Sequence, residues 1–211
     1  MIRIGMKELE RARRLQEEAA KLHIPSPPVV SYKISRTENG KIKDIIHAKS
    51  NSYVRNAYNA LAQDFTFASN AVVDGSYFGD GVISYKSTTG GMLTAPPRAY
   101  PNNELPIQLV LGTNGTPDTL DDTKLDEIPF GGSMIRFSTF DSSSRRFITI
   151  ISRSFTNTTD TTYEIREAGI YVRPATTNYL FVRDTFPSVT FAPGDNVTFT
   201  YQFEVYYPPA N

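Results

Sequence analysis

The sequence predicts a mainly β domain, either an antiparallel β-sandwich or a barrel-like closure, with an N-terminal helical arm and one further short helix. Three observations predict it. From Glu104 onward, short segments rich in Thr, Val, Ile, Tyr and Phe follow one another, separated by turn residues. Residues 6–23 are built from strong helix formers and end at a proline cluster. The 211 residues include 12 Tyr and 13 Phe but no Trp and no Cys, so the core is aromatic and free of disulfides and thiolate metal sites. That length suits one β domain of about 150 residues plus an arm, large enough to bury its own core.

The arm comes first. In MKELERARRLQEEAAKLH, Ala12, Leu15, Ala19 and Leu22 recur at a 3-4-3 spacing and form one apolar stripe. Glu10 and Arg14, and Glu17 and Lys21, are i,i+4 pairs in the favourable orientation. The stripe fits packing on the chain's own domain or a neighbour. Its sharper reading is a short seam in an oligomer, with Leu9, Ala12, Leu15, Ala19 and Leu22 at a subunit interface. IPSPP at Ile24–Pro28 stops the helix and acts as a stiff spacer. The division is therefore 1–28 for arm and spacer and 29–211 for a β-rich assembly domain.

Within 29–46, VVSYKIS alternates, Asn39-Gly40 signals a turn and IKDIIHA returns, which predicts a hairpin. SNSYVRNAYNALAQDF reads as the second helix, capped by Ser50 or Asn51, with Val54, Tyr58, Leu61 and Phe65 on one face. Residues 66–103 are polar, Gly-rich and aperiodic, and read as a long loop or β excursion, of the length expected for a functional or assembly-facing connection. Six strands follow: LPIQLVLG, SMIRFSTF, RRFITIISRSFTN, TTYEIREAGIYV, YLFVRDTF and DNVTFTYQFEVYY. Pro193-Gly194 makes a tight turn before the last.

Catalytic chemistry is not evident. His23, at a helix end, and His47, in a strand-to-helix transition, read as structural, and two distant histidines without Cys make no metal cluster. No G-x-S-x-G elbow marks a nucleophile. PDTLDDTKLDE is acidic but lacks the EF-hand spacing, so turn chemistry is its plain reading. If it holds a cation, Asp118, Asp121 and Asp122 are the ligands. Tyr163, Tyr171, Tyr179, Phe181, Phe199, Tyr201 and Phe203 read as core, with a sugar-stacking platform as the alternative. Asn114, Asn157 and Asn196 sit in N-x-T sequons, which carry little weight without a secretory signal.

Charge is zero overall but polarised: residues 1–64 carry 12 Lys/Arg against 7 Asp/Glu, and the remainder 10 against 15. This favours contact with an acidic neighbour, another copy included. No dense basic cluster calls for nucleic acid, and no apolar run approaches the ~18 residues of a membrane span.

The C-terminal third resembles β-rich domains of tailed-bacteriophage structural proteins, tail-fibre and appendage proteins among them. The residues that carry the resemblance are Glu167-Ala168-Gly169-Ile170-Tyr171, Leu180-Phe181-Val182-Arg183-Asp184-Thr185-Phe186 and Pro193-Gly194-Asp195-Asn196-Val197-Thr198-Phe199-Thr200-Tyr201. Upstream, VLGTNGTPDTLDDTKLDEI at Val110–Ile128 is similar to the segment that precedes these in such proteins, and SNSYVRNAYNAL resembles a further one. Gly169 reads as relief where a neighbouring backbone or aromatic approaches. Adjacent Arg183 and Asp184 point to opposite faces of a strand, so each needs a partner elsewhere.

The resemblance implies a virion subunit, assembled in the host cytoplasm, with no enzymatic activity and no cofactor. Its partners are copies of itself, a trimer favoured, and other virion proteins. A tail or tail-appendage component is the first placement and a capsid decoration protein the alternative. A carbohydrate-binding β domain is the competing class.

Overall fold

The computed structural model describes residues 1–22, 28–38, 41–50, 107–117, 125–129, 132, 134–172 and 179–206. Among them the chain is mainly β. Strand β1 (Ile2–Ile4) precedes the helix α1 (Met6–Lys21). Then come β2 (Val29–Glu38), β3 (Lys41–Lys49), β4 (Ile107–Gly112), β5 (Met134–Asp141), β6 (Arg146–Thr156), β7 (Tyr163–Val172), β8 (Tyr179–Phe191) and β9 (Asn196–Tyr206). All six strands expected after Glu104 are present. The expected second helix, the loop 66–103, the Asn39-Gly40 turn, most of the proline spacer and His23 lie outside the described residues.

Two compact units result. The first comprises Met1–Asn51, Phe130–Thr162 and Phe191–Asn211. Its sheet has six strands in the order β1-β3-β2-β9-β6-β5. β2 pairs antiparallel with β3 through a bulge at Ile34/Ser35, and with β9 on its other side. β6 pairs antiparallel with β9 and with β5. Among the described residues the sheet ends at β1 and β5 and does not close, so the barrel-like alternative is not what they form.

Alternation along β9 explains this core. Val197, Phe199, Tyr201 and Phe203 are buried, while Thr198, Thr200 and Gln202 face the other way, half-exposed. The buried row stands in register with Val30, Tyr32 and Ile34 of β2 and with Thr149, Ile151 and Phe155 of β6. Tyr32 stacks on Phe199 at 5.4 Å between ring centroids, and Phe199 lies 4.9 Å from Tyr201. Each such side chain contributes about 1.5–3 kcal/mol on burial.

β1 was not expected from the sequence. It runs parallel to β3, with Ile2 opposite Ile46, Arg3 opposite His47 and Ile4 opposite Ala48. His47 therefore sits inside β3, not in a strand-to-helix transition. The strand signal continued through Ala48 and Lys49 because they still pair with β2.

The second unit comprises Ser52–Pro129 and Tyr163–Thr190. Its three strands are ordered β4-β7-β8, with β4 antiparallel to β7. β8 is an edge strand among the described residues, which tolerates Pro187 within it. The segment around Leu125 closes one face: Leu125 packs in a buried cluster with Val110, Tyr171 and Leu180. Gly169 makes that closure possible. A Cβ there would stand 2.7 Å from the Val182 carbonyl oxygen and 2.8 Å from Leu125 Cδ1. Gly112 does the same nearby, where a Cβ would meet the Asp126 carbonyl oxygen at 2.7 Å and the Glu167 carboxylate. Gly169→Ala is expected to lower stability by about 1–3 kcal/mol through overpacking. An unchanged urea midpoint would show that Leu125 and the Val182 carbonyl yield without cost.

Candidate functional site

Among the described residues two buried polar centres stand out, one in each unit. In the second unit, Glu167 on β7 is fully buried and Arg183 on β8 is 2% exposed. Arg183 Nε donates to Glu167 Oε2 at 2.8 Å. The other carboxylate oxygen accepts the backbone N–H of Asn114 at 3.2 Å and of Asp126 at 2.8 Å. The guanidinium also donates to the carbonyl oxygens of Thr116 (3.1 Å) and Pro117 (3.4 Å). Tyr171 Oη accepts the Leu125 amide at 2.9 Å. Backbone bonds from Thr113 N to Asp126 O and from Ile128 N to Leu111 O finish the frame.

The centre thus holds both described ends of the acidic segment, 113–117 and 125–128. It brings together described residues of three stretches that the sequence singled out separately, Val110–Ile128, Glu167–Tyr171 and Leu180–Phe186, whereas Pro193–Tyr201 lies in the first unit. Arg183 does find its partner in another strand. Asp184, 3% exposed, is buried as well.

In the first unit the centre docks α1. Gly5, at φ 63°, starts the helix without a side-chain cap. The buried helix positions are Leu9 and Gln16. Gln16 Nε2 donates to the Glu204 carbonyl oxygen at 3.1 Å. Its Oε1 accepts Arg146 Nη1 at 2.8 Å and the Tyr206 amide at 3.1 Å. Arg13 grips the Glu204 carboxylate with two donors, at 2.9 and 2.5 Å. Arg146, itself buried, reaches Glu17 Oε1 at 2.6 Å.

This corrects one residue of the expected helix seam. Leu9 is fully buried within its own unit and so serves the chain's own core, not a subunit interface. Ala12 and Ala19 are half-buried, and Leu15 and Leu22 are 59% and 69% exposed. The docked face runs through Leu9, Arg13 and Gln16, beside the apolar stripe and not along it. The sequence missed this face because its polar partners are distant in the chain. The only local signal was the seven-residue interval from Leu9 to Gln16.

The candidate cation ligands Asp118, Asp121 and Asp122 lie outside the described residues. No group of three acidic or histidine side chains is placed to hold a metal among those described. Tyr171, Phe181, Phe199, Tyr201 and Phe203 are buried, which is core, not platform. Tyr163 is half-buried, and no side-chain environment is described for Tyr179. Of the sequon asparagines, Asn157 is 1% exposed and donates to the carbonyl oxygens of Thr161 and Phe191.

Exposed apolar side chains gather instead at one end of the six-stranded sheet. Ile135, Phe137 and Phe140 of β5 are 61%, 49% and 47% exposed. In register with Phe140 stands Phe147 of β6, and beside that Val205 of β9, both exposed.

Two predictions concern the Glu167 centre. Glu167→Ala leaves the Arg183 guanidinium buried without a counter-charge and should cost about 3–5 kcal/mol. The pair Glu167→Leu with Arg183→Met should cost less, and equal losses would contradict the buried-charge account. Burial pushes the Tyr171 hydroxyl up to about 12, with Glu127 and Glu167 adding to the rise against the Leu125 amide. Because the folded value lies above the usual ~10 of tyrosine, stability should be intact below pH ~10 and fall from there toward pH 12. Tyr171→Phe should remove that alkaline loss, read from urea midpoints across this range.

Comparison of the chain with protein-family models, with curated proteins and with solved structures gives no match.

Proposed function

We propose that the chain is a non-enzymatic structural subunit of a tailed-phage virion. In this reading it is a tail or tail-appendage component of the β-sandwich class that forms homo-oligomers and attaches to neighbouring virion proteins. One observation carries the proposal. Residues from three of the stretches resembling phage structural proteins, Val110–Ile128, Glu167–Tyr171 and Leu180–Phe186, contribute to one buried centre around Glu167 and Arg183, while Pro193–Tyr201 belongs to the other unit. That these segments, distant in the chain, share one hydrogen-bonded centre supports reading them as a single pattern.

Two further features support a role in assembly. Apolar side chains of β5, with Phe147 of β6 and Val205 of β9, are exposed together instead of being scattered singly. Leu15 and Leu22 add a second exposed apolar strip on α1. A carbohydrate-binding role is less well supported, because most of the aromatics it needs are inside the core.

The test is the copy number of this chain per purified particle, relative to the major shell protein, by quantitative mass spectrometry. A few to a few tens of copies is the expected result for a tail component. Hundreds would shift the assignment to a capsid decoration protein, and absence from the particle would overturn the proposal.

A further inference from the structure

We propose that Arg3, His47 and Lys33, which stand in one row across β1, β3 and β2, form a binding site for a tetrahedral dianion, with a phosphate group as the ligand class. The inference goes beyond the assembling-subunit reading and does not rest on it.

Strand pairing makes the row. Arg3 of β1 is in register with His47 of β3, and His47 with Lys33 of β2. Residues paired in this way share one face of the sheet. Adjacent strands lie about 4.8 Å apart, so the Arg3 and Lys33 backbones stand about 10 Å apart with His47 midway between them. Arg3 is exposed, and Lys33 and His47 are half-buried, so an ion reaches the row from solvent. Helix α1 adds a fourth cation, because Arg13 is close enough for its charge to act on His47.

Such a row is unfavourable while it stands empty, because like charges directly opposite one another destabilise a sheet. The local anions answer only part of it. Asp44 lies 3.4 Å from Lys33 Nζ and also accepts the Ser35 hydroxyl at 2.9 Å. Arg13 is committed to the Glu204 carboxylate. No hydrogen bond or ion pair holds Arg3 among the described residues. Beyond Lys33 the row continues into Thr200 of β9 and Ser152 of β6, so no acidic side chain enters it. A guanidinium, an ammonium and an imidazole side by side offer only donors once the imidazole is protonated, and they carry surplus positive charge. That is the donor set an oxyanion requires.

His47 gives the site its readout. Burial, and then the charges of Lys33, Arg13 and Arg3, hold its imidazole below the usual value, against an opposing pull from Asp44. A dianion seated among these cations offsets their effect and favours the imidazolium, which supplies one more donor. Binding and protonation therefore strengthen each other by the same factor.

The test uses the full chain. It contains two histidines, so one variant, His47→Gln, assigns their imidazole resonances in NMR. Phosphate esters themselves titrate near pH ~6, so the titration uses sulfate, which stays a dianion throughout. Sulfate should raise the His47 pKa above its value in chloride of equal ionic strength, with His23 as the internal reference. Sulfate should also bind at least about threefold tighter at pH ~5 than at pH ~8. Arg3→Gln and Lys33→Gln should each lose most of the sulfate effect with an unchanged circular dichroism spectrum, since neither side chain is buried. Equal His47 titrations in sulfate and chloride, or a sulfate effect that survives the double variant Arg3→Gln/Lys33→Gln, overturn the site. Competition against sulfate by inorganic phosphate and by glycerol phosphate identifies the source. Tighter inorganic phosphate supports a free ion, and a tighter ester supports a phosphate group on a larger ligand. Failure of both to displace sulfate overturns the phosphate assignment.

Discussion

Two buried carboxylates, Glu167 and Glu204, set the geometry on which the rest of the structure depends. Each is 2% exposed or less, and a charge that far from water is tolerated only when it is paired and hydrogen-bonded. Glu204 is gripped by Arg13 through a two-pronged contact, with Arg146 alongside it at 3.8 Å. Glu167 takes Arg183 and two loop amides. An arginine fork fits a carboxylate in few orientations, so these contacts specify angle and register where apolar packing alone would allow sliding. One fixes where the helix lies on its sheet. The other fixes where the chain enters and leaves the acidic segment.

Much of the β architecture was legible in the sequence because alternation is a local signal. Phe199, Tyr201 and Phe203 announce the buried face of β9 without any knowledge of its neighbours, and Pro193-Gly194 announces where the strand begins. Helix α1 was legible in extent but not in orientation. Ala12, Leu15, Ala19 and Leu22 form the better apolar stripe, yet the docked face uses Arg13 and Gln16. Their partners lie 191 and 130 residues away in the chain, and no periodicity reports such a pairing. Arg183 is an intermediate case. That it needed a partner on another strand followed from strand geometry, but naming Glu167 required the positions of both strands. β1 was invisible because three residues become a strand only when β3 is there to pair with them.

The six-stranded sheet divides its unburied surface into two kinds. Over β6 and β9 the hydroxyls satisfy one another in pairs: Ser152 with Thr200 at 2.9 Å and Ser154 with Thr198 at 3.0 Å. That surface is complete in itself and asks nothing of a partner. Toward β5 the composition changes to Ile and Phe, and Ile135, Phe137 and Phe140 are exposed. The contrast lies within a single sheet: one part is covered by paired hydroxyls and the other by apolar side chains.

The position of β9 has a consequence for how the molecule comes into being. It follows every other described element in the chain, yet it is an inner strand of the six, lying between β2 and β6. The β2–β3 and β5–β6 hairpins can form early, but neither can join the other until β9 arrives to bridge them. The sheet therefore closes through contacts of long sequence separation, the kind that slow folding and leave half-built edges exposed while they wait. A chain interrupted before Asn196 would carry two hairpins with nothing between them. Synthesis of the last strand thus sets the moment at which two separate hairpins can become one six-stranded sheet.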